Sequence, residues 1–475
     1  MSEFFGRSDF ITQESLEQRA NDVPSDFLRH DSLAAILLDR AAILPAGAVF
    51  AVQAPWGRGK TDLLARAAMR TYVPGLTPSI LPKALWINPW QYGAPDLLTP
   101  LVLTIVRRIG KTKKSDKKAL MRAATSVIKA GISFGFKTAA VTLPGGSLYE
   151  LATEPVEKLL EGLFDSLSED REKAKLPDPD PVYEMANRFS ELVDAMIEND
   201  AKENQRAERV LVFIDDIDRC LPHTQVALLE AIRFLTSANA KATFIISFDP
   251  AIARKSLIAH YGVDGFDPES YLDKMFHMRM TLPPLATPSV RRVISGFLDA
   301  KWPGMENRTA GKIIASRFNE SVVAGIPDWC SKRIATTTAK TPRVLKHIVE
   351  RICLFAISAS DEGVATVSGA SGFPLMISWL AMIERFPQVR VALQEAGDDF
   401  TARFADLVQS YGDIDSTHQR KLKWAAIRGL PTRADSPELA EMLNGILPLG
   451  TGGTEVNSTG ELLSVIDREL QTIGI

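Results

Sequence analysis

Two stretches of this chain carry residues whose types and spacing suit chemistry on a polyphosphate. The first, AVFAVQAPWGRGKTDLLAR at 48–66, runs from an apolar segment through a glycine-containing loop into a helical pattern. A triphosphate needs converging backbone N–H groups, a cation and an oxygen ligand for Mg²⁺. Gly57 and Gly59 let the backbone curl without Cβ clashes, and the following helix aims its positive end at the phosphates. Lys60 is placed to reach the β and γ phosphates, and the Thr61 hydroxyl to hold Mg²⁺. The expected nucleotide-binding set is therefore Ala54, Pro55, Trp56, Gly57, Arg58, Gly59, Lys60, Thr61 and Asp62. Ala54 stands where GxxxxGK[ST] begins with glycine, a position that opens the loop rather than touching phosphate. The plain alternative is a glycine turn that matches by chance.

The second stretch is RVLVFIDDIDRC at 209–220. Its continuous apolar run reads as a strand buried on both faces, and it ends in acids. Asp215 at the strand tip would hold Mg²⁺ through water, and Asp216 would orient and deprotonate an attacking water. Asp218 and Arg219 follow on the loop. Arg219 would either contact phosphate or pair with a neighbouring acid. The structural alternative for the acids is capping of the next helix.

These residues require a parallel sheet whose strand ends face one edge. Residues 27–44 read as a helix with Leu33, Ile36, Leu37 and Ala41 on one face, Asp31 or Ser32 as N-cap, and a packing role only. KALWINPW at 83–90 reads as a short buried strand that leaves Asn88 near the ligand edge, with Trp86, Trp90 and Tyr92 as core or rim packing. HTQVALLEAIRFLTS is a helix, ATFIISFDP at 242–250 a further strand, and FHMRMTLP at 276–283 a fifth. Ser247 and Asp249 end the fourth strand at the ligand edge, where Asp249 is either a sensor or the cap of AIARKSL.

Composition narrows the class. The 475 residues are 45% hydrophobic and 24% charged, with net charge −3, as in ordinary globular chains of two or three domains. Three cysteines without CxxC spacing and six histidines without an HExxH pair argue against a zinc site or a disulfide framework, so a reducing cytoplasm is the natural setting. The N-terminus carries acids early and lacks a signal-peptide core.

Residues 107–122 hold eight basic residues against one acid, a solvated face by default and otherwise a patch for nucleic-acid backbone or an anionic surface. Residues 123–143 approach the length of a membrane span, but Lys129 and Lys137 interrupt them. A lysine at bilayer depth costs roughly 3 kcal/mol, so an amphipathic or buried helix is expected and a membrane location is not. An acidic helix at 154–173 and a proline-rich linker at 175–182 complete what reads as an insertion. Residues 287–358 read as helical, and the last part as helices with a flexible segment at 447–460.

Together APWGRGKTDLL, WINPWQY, FIDDIDRC, SFDPAIARKSL and YLDKMFHMRMTLP resemble the KAP family of P-loop NTPases, of the STAND branch of the AAA-like class, over about residues 27–360. The resemblance implies an α/β fold with a parallel sheet of additional-strand type, order 5-1-4-3-2, an inserted helical region and a C-terminal helical lid. It implies ATP or GTP as substrate, Mg²⁺ as cofactor, slow hydrolysis coupled to conformation, and a homo-oligomer or protein partner. Family members often carry transmembrane helices between the two motifs, and many bacterial members are linked to exclusion of phage. TPRVLKH at 341–347 resembles the lid motif in which an arginine reaches the γ-phosphate. Arg343 therefore joins Lys60, Asp216 and Arg219 in the expected catalytic set, with Lys346 and Arg351 as surface charges. The expected domains are a lead-in at 1–45, the NTPase core at 46–110 and 200–290, the insertion at 111–199, a lid at 291–365 and a helical interaction domain at 366–475. A nucleotide-driven switch is the favoured reading. A nucleic-acid-stimulated clamp and a membrane-surface organiser are the alternatives.

Overall fold

The computed structural model describes residues 26–73, 75–76, 83–92, 101–102, 104–105, 181–202, 208–237, 241–262, 266–302, 305–334, 341–369, 371–394, 400–411, 437–446 and 453–474. The chain divides between Leu282 and Pro283 into two compact units.

The N-terminal unit is built on five parallel strands, β1 (Val49–Gln53), β2 (Leu85–Ile87), β3 (Val210–Ile214), β4 (Ala242–Phe248) and β5 (Met278–Thr281), in the order β2-β3-β4-β1-β5. Read from the other edge this is the expected 5-1-4-3-2. Every residue of β1 to β4 is buried, as strands covered on both faces require. The two faces alternate residue by residue. Val210, Val212 and Ile214 pack with Ala51, Phe244 and Ile246, while Leu211 and Phe213 pack with Phe50, Val52, Trp86 and Ile245.

Among the described residues, six helices cover this sheet: α1 (His30–Ile43), α2 (Lys60–Arg70), α3 (Pro181–Lys202), α4 (Pro222–Ser237), α5 (Pro250–Tyr261) and α6 (Pro268–Met275). The apolar faces of α1 and α2 lie on one side, and those of α3 to α6 on the other. Phe189, Leu192, Val193 and Met196 of α3 belong to the sheet's core. The boundary expected at residue 200 therefore cuts a helix that the nucleotide unit buries.

Two details of α1 differ from expectation. The carboxylate of Asp26 accepts from the backbone N–H of both His30 (2.7 Å) and Asp31 (2.9 Å), so the cap lies upstream of Asp31 and Ser32. The buried face is His30, Ala34, Leu37, Leu38 and Ala41, with Ile36 exposed.

In the C-terminal unit, α7 (Thr287–Asp299) leads into an antiparallel hairpin, β6 (Lys301–Trp302) and β7 (Met305–Thr309). The hairpin interrupts a region expected to be helical throughout, where the sequence carries the helix-breaking pair Pro-Gly at 303–304. Nine described helices follow: α8 (Ala310–Ala315), α9 (Glu320–Ile334), α10 (Pro342–Ser358), α11 (Asp361–Ser368), α12 (Gly372–Arg385), α13 (Pro387–Gln394), α14 (Phe400–Tyr411), α15 (Pro437–Ile446) and α16 (Gly453–Thr472). The start of α16 at Gly453 makes much of the expected flexible segment helical. A Cβ on Gly460 would sit 3.0 Å from Thr401, so glycine there lets α16 approach α14 while Leu463, Ile466 and Leu470 fill the core. Buried Asp467 on α16 accepts from the Trp379 indole (3.0 Å) and pairs with Arg390 (2.8 Å). Among the described residues no single helix is long and apolar enough to cross a membrane.

Phe213 is fully buried and stacks on Trp86. Phe213→Ala is expected to destabilise the unit by about 3–5 kcal/mol, against a negligible effect for exposed Ile36→Ala, as read by urea denaturation midpoints.

A second prediction concerns Glu384 on α12, which joins His347 (2.7 Å) and Arg351 (2.8 Å) of α10. The His347 hydrogen bond, aided by the Arg351 charge and opposed by burial, holds its carboxyl below the ordinary value of 4.5. A lowered carboxylate adds stability that is present above its unfolded value and is lost as pH falls through the folded one. Glu384→Gln should thus lower stability by about 1 kcal/mol at pH 7. The gap from the unaltered protein should close as pH drops below 4.5.

Candidate functional site

The carboxyl ends of β1, β3 and β4 bring the two chemical stretches together. β4 lies between β1 and β3, pairing with both in parallel register. At the end of β1 the chain turns through Ala54–Gly59 into α2, with Gly57 at φ 77° and Gly59 at φ 93°. Both angles are in the left-handed region, where a Cβ is costly.

Lys60 is buried. Its ammonium donates to the Ala54 carbonyl at 2.9 Å and lies 3.2 Å from Asp218 Oδ2. That same carboxylate oxygen accepts from the Trp56 indole N–H (2.7 Å) and from the Asp249 backbone N–H (3.0 Å). Asp249 in turn accepts from the Trp56 backbone N–H (3.1 Å) and caps α5 through the N–H of Ala251 (2.9 Å). Three strand ends are thus tied in a closed ring of hydrogen bonds. Asp249 serves as the cap and also as a support of the loop.

Asp215, at the tip of β3, is buried and accepts from the Ser247 hydroxyl of β4. Burial pushes its carboxyl up, opposed by hydrogen bonds from Ser247 and Thr61 and by the Lys60 charge. Its Oδ2 is buried with no hydrogen-bond partner within ordinary geometry. A buried carboxylate oxygen of this kind is costly unless a cation meets it, so Thr61 and Asp215 form a donor pair that fits Mg²⁺. Among the described residues no cluster of three or more His, Cys, Asp or Glu could hold a metal. Such an ion would therefore draw its other ligands from phosphate and water.

Asp216 follows with φ 59°, one of two non-glycine residues described in the left-handed region. This turn sends the chain into the short 3-10 segment Ile217–Arg219. The Asn88 amide donates to Asp216 Oδ2 (2.8 Å), and Arg219 pairs with Oδ1 (2.7 Å). Burial and the neighbouring Asp215 raise the Asp216 carboxyl to about 6, with Arg219 and Asn88 opposing. A carboxylate so poised matches the demands on a general base near neutral pH. Of the two partners open to Arg219, the structure gives the acid, and its guanidinium lies 5.7 Å over the Trp90 ring. Asn88 stands at the site as well.

Other expected residues are placed differently. The Asp62 carboxylate is engaged by His30 Nδ1 (2.8 Å) and Arg66 Nε (3.0 Å), which leaves its backbone to face a ligand. Arg66, 2% exposed, also reaches Asp31 at 3.0 Å. A Cβ on Gly59 would meet His30 Cε1 at 2.8 Å. The N-terminus of α1 is therefore packed against the loop, more than the packing role expected for this helix. Arg58 has two guanidinium nitrogens buried without partners, and desolvation lowers its pKa. Arg343 is exposed in the first turn of α10, behind the Thr341 cap, in the C-terminal unit. All of these site contacts come from the N-terminal unit. The basic run at 107–122, the apolar segment at 123–143 and the expected helix at 154–173 lie outside the described residues, as does most of the linker at 175–182.

A glycine loop between β1 and α2, acids at the end of β3, and an intervening strand define a P-loop nucleoside-triphosphatase domain of the additional-strand type. The model of the KAP family P-loop domain matches residues 30–356. The chain belongs to that family, which carries nucleotide binding and hydrolysis as its general activity. A search of curated proteins finds no match.

Gly59→Ala is expected to cost about 1–3 kcal/mol from its backbone angle alone. Adding His30→Ala should relieve the 2.8 Å clash and recover only part of the loss, as measured by thermal melting of the single and double variants.

Proposed function

We propose that this protein binds ATP, hydrolyses it with Mg²⁺, and uses the change at the site as a switch that regulates or assembles a partner complex. The observation that carries this reading is the buried, unpartnered Asp215 Oδ2 near the Thr61 hydroxyl at the foot of a glycine loop.

Mg²⁺, when bound, would neutralise charge on the phosphates and orient them. The chain's own residues do the rest. The loop N–H groups and Lys60 bind the polyphosphate, and Thr61 and Asp215 present oxygens on one side of it. Asp216, oriented by Asn88 and Arg219, accepts the proton of an attacking water. Its contact with Arg219 at 2.7 Å helps hold the acid in place. The ring of bonds through Trp56, Asp218 and Asp249 gives the phosphate loop a rigid link to two other strand ends, as a switch requires.

Turnover of ATP and GTP by the full chain tests the reading. Lys60→Ala should lose nucleotide affinity, and Asp216→Asn should keep affinity while turnover falls by about 10²–10⁴-fold. Absence of nucleotide binding by the unaltered protein, measured by calorimetry, would overturn it.

A further inference from the structure

We propose that Asp218 is an internal competitor for Lys60: its carboxylate occupies the lysine in place of a phosphate oxygen, and nucleotide binding requires Lys60 to pass from one to the other. The proposal rests on the nucleotide reading above and adds a positioning residue to it.

The geometry is specific. Lys60 has three N–H donors, of which one goes to Ala54 O and another faces Asp218 Oδ2 at 3.2 Å. Both side chains are nearly closed to solvent, at 8% and 2% exposure. In such surroundings water screens little, so a phosphate oxygen that approaches the remaining N–H is repelled by the Asp218 carboxylate until the lysine leaves it.

Asp218 Oδ2 has three donors near it, Lys60, the Trp56 indole and the Asp249 N–H. A carboxylate oxygen offers about two lone-pair sites. The ammonium is thus the donor that can leave while two neutral donors still hold the carboxylate. The loop therefore keeps its anchor to β3 and β4 when the lysine moves.

The other acids nearby are committed elsewhere. Asp62, two residues beyond the lysine on α2, has its carboxylate engaged by His30 and Arg66. Asp215 faces Ser247 and Thr61, and Asp216 faces Asn88 and Arg219. Asp215 also feels the Lys60 charge, but of the acids described at this edge Asp218 is the one that forms an ion pair with the lysine, at 3.2 Å.

The exchange has a built-in reporter. Trp56 is 50% exposed, and its indole N–H rests on the carboxylate whose counter-charge would leave. Its emission should shift when the lysine changes partner.

The test uses the full chain, with inorganic tripolyphosphate and Mg-ATP as probes, read by calorimetry and tryptophan emission. Asp218→Asn keeps an oxygen for the two neutral donors and removes the competing charge. It should bind tripolyphosphate about 10-fold more tightly, equivalent to about 1.4 kcal/mol, and without ligand it should melt lower, because Lys60 has lost its buried counter-charge. Equal or weaker binding by a variant that still melts cooperatively would overturn the proposal and leave the nucleotide reading intact. Should the variant not fold, the unaltered protein decides: tripolyphosphate should shift its emission, and at saturating tripolyphosphate the shift should be smaller in Trp56→Phe, whose own affinity is measured in parallel by calorimetry. Binding with no Trp56-dependent shift counts against the exchange. No binding of either probe by any of these proteins overturns the nucleotide reading and the exchange with it.

Discussion

Burial of the sheet on both faces is the constraint on which the site depends. Because β1, β3 and β4 are covered above and below, their polar side chains gather where the strands end, Thr243 near the start of β4 being the exception. Gln53, Asp215, Ser247 and Asp249 stand at or next to those ends, and all are buried. The parallel register puts these ends at one edge. Polar groups crowded at a single edge must satisfy one another or a ligand, and that requirement generates the contacts seen there.

The three acids of the segment after β3 show how local geometry divides one charge type among three roles. Asp215 continues the strand and meets Ser247 across the β3–β4 pair. Asp216 adopts a left-handed backbone and so turns toward Asn88 and Arg219. Asp218, two residues further along the 3-10 turn, meets the phosphate loop. Three like charges so close would oppose folding in isolation. Lys60 and Arg219 offset two of them, and the remaining oxygen on Asp215 is the one suited to a divalent cation.

Much of this was legible in the sequence because it is local. The loop, the apolar run before DDIDRC and the alternation of strands and helices are short-range signals with direct physical meaning. The fifth strand was readable in FHMRMTLP itself, and the strand order followed from the family resemblance carried by those motifs. What escaped was set by contacts between distant segments. The Asn88 bond to Asp216 depends on β2 lying beside β3, whereas the Arg219–Asp216 pair, three residues apart, is local. The α16 start inside a glycine- and serine-containing stretch depends on the Gly460 approach to α14, for which propensity gives no warning.

His30 is the sharpest case, since nothing in its own surroundings marks it. Only the fold sets it against Gly59 and beside Asp62, its partner 32 positions along the chain. Asp62 and Arg66 are one helical turn apart and make an ordinary helix pair in isolation. The addition of Asp26, Asp31 and His30 turns that pair into a network that joins the start of α1 to the start of α2. The helix before β1 therefore does more than cover the sheet: it braces the residue at which the phosphate loop becomes a helix. Any change that moves α1 must also disturb Gly59, and through it the orientation of Lys60.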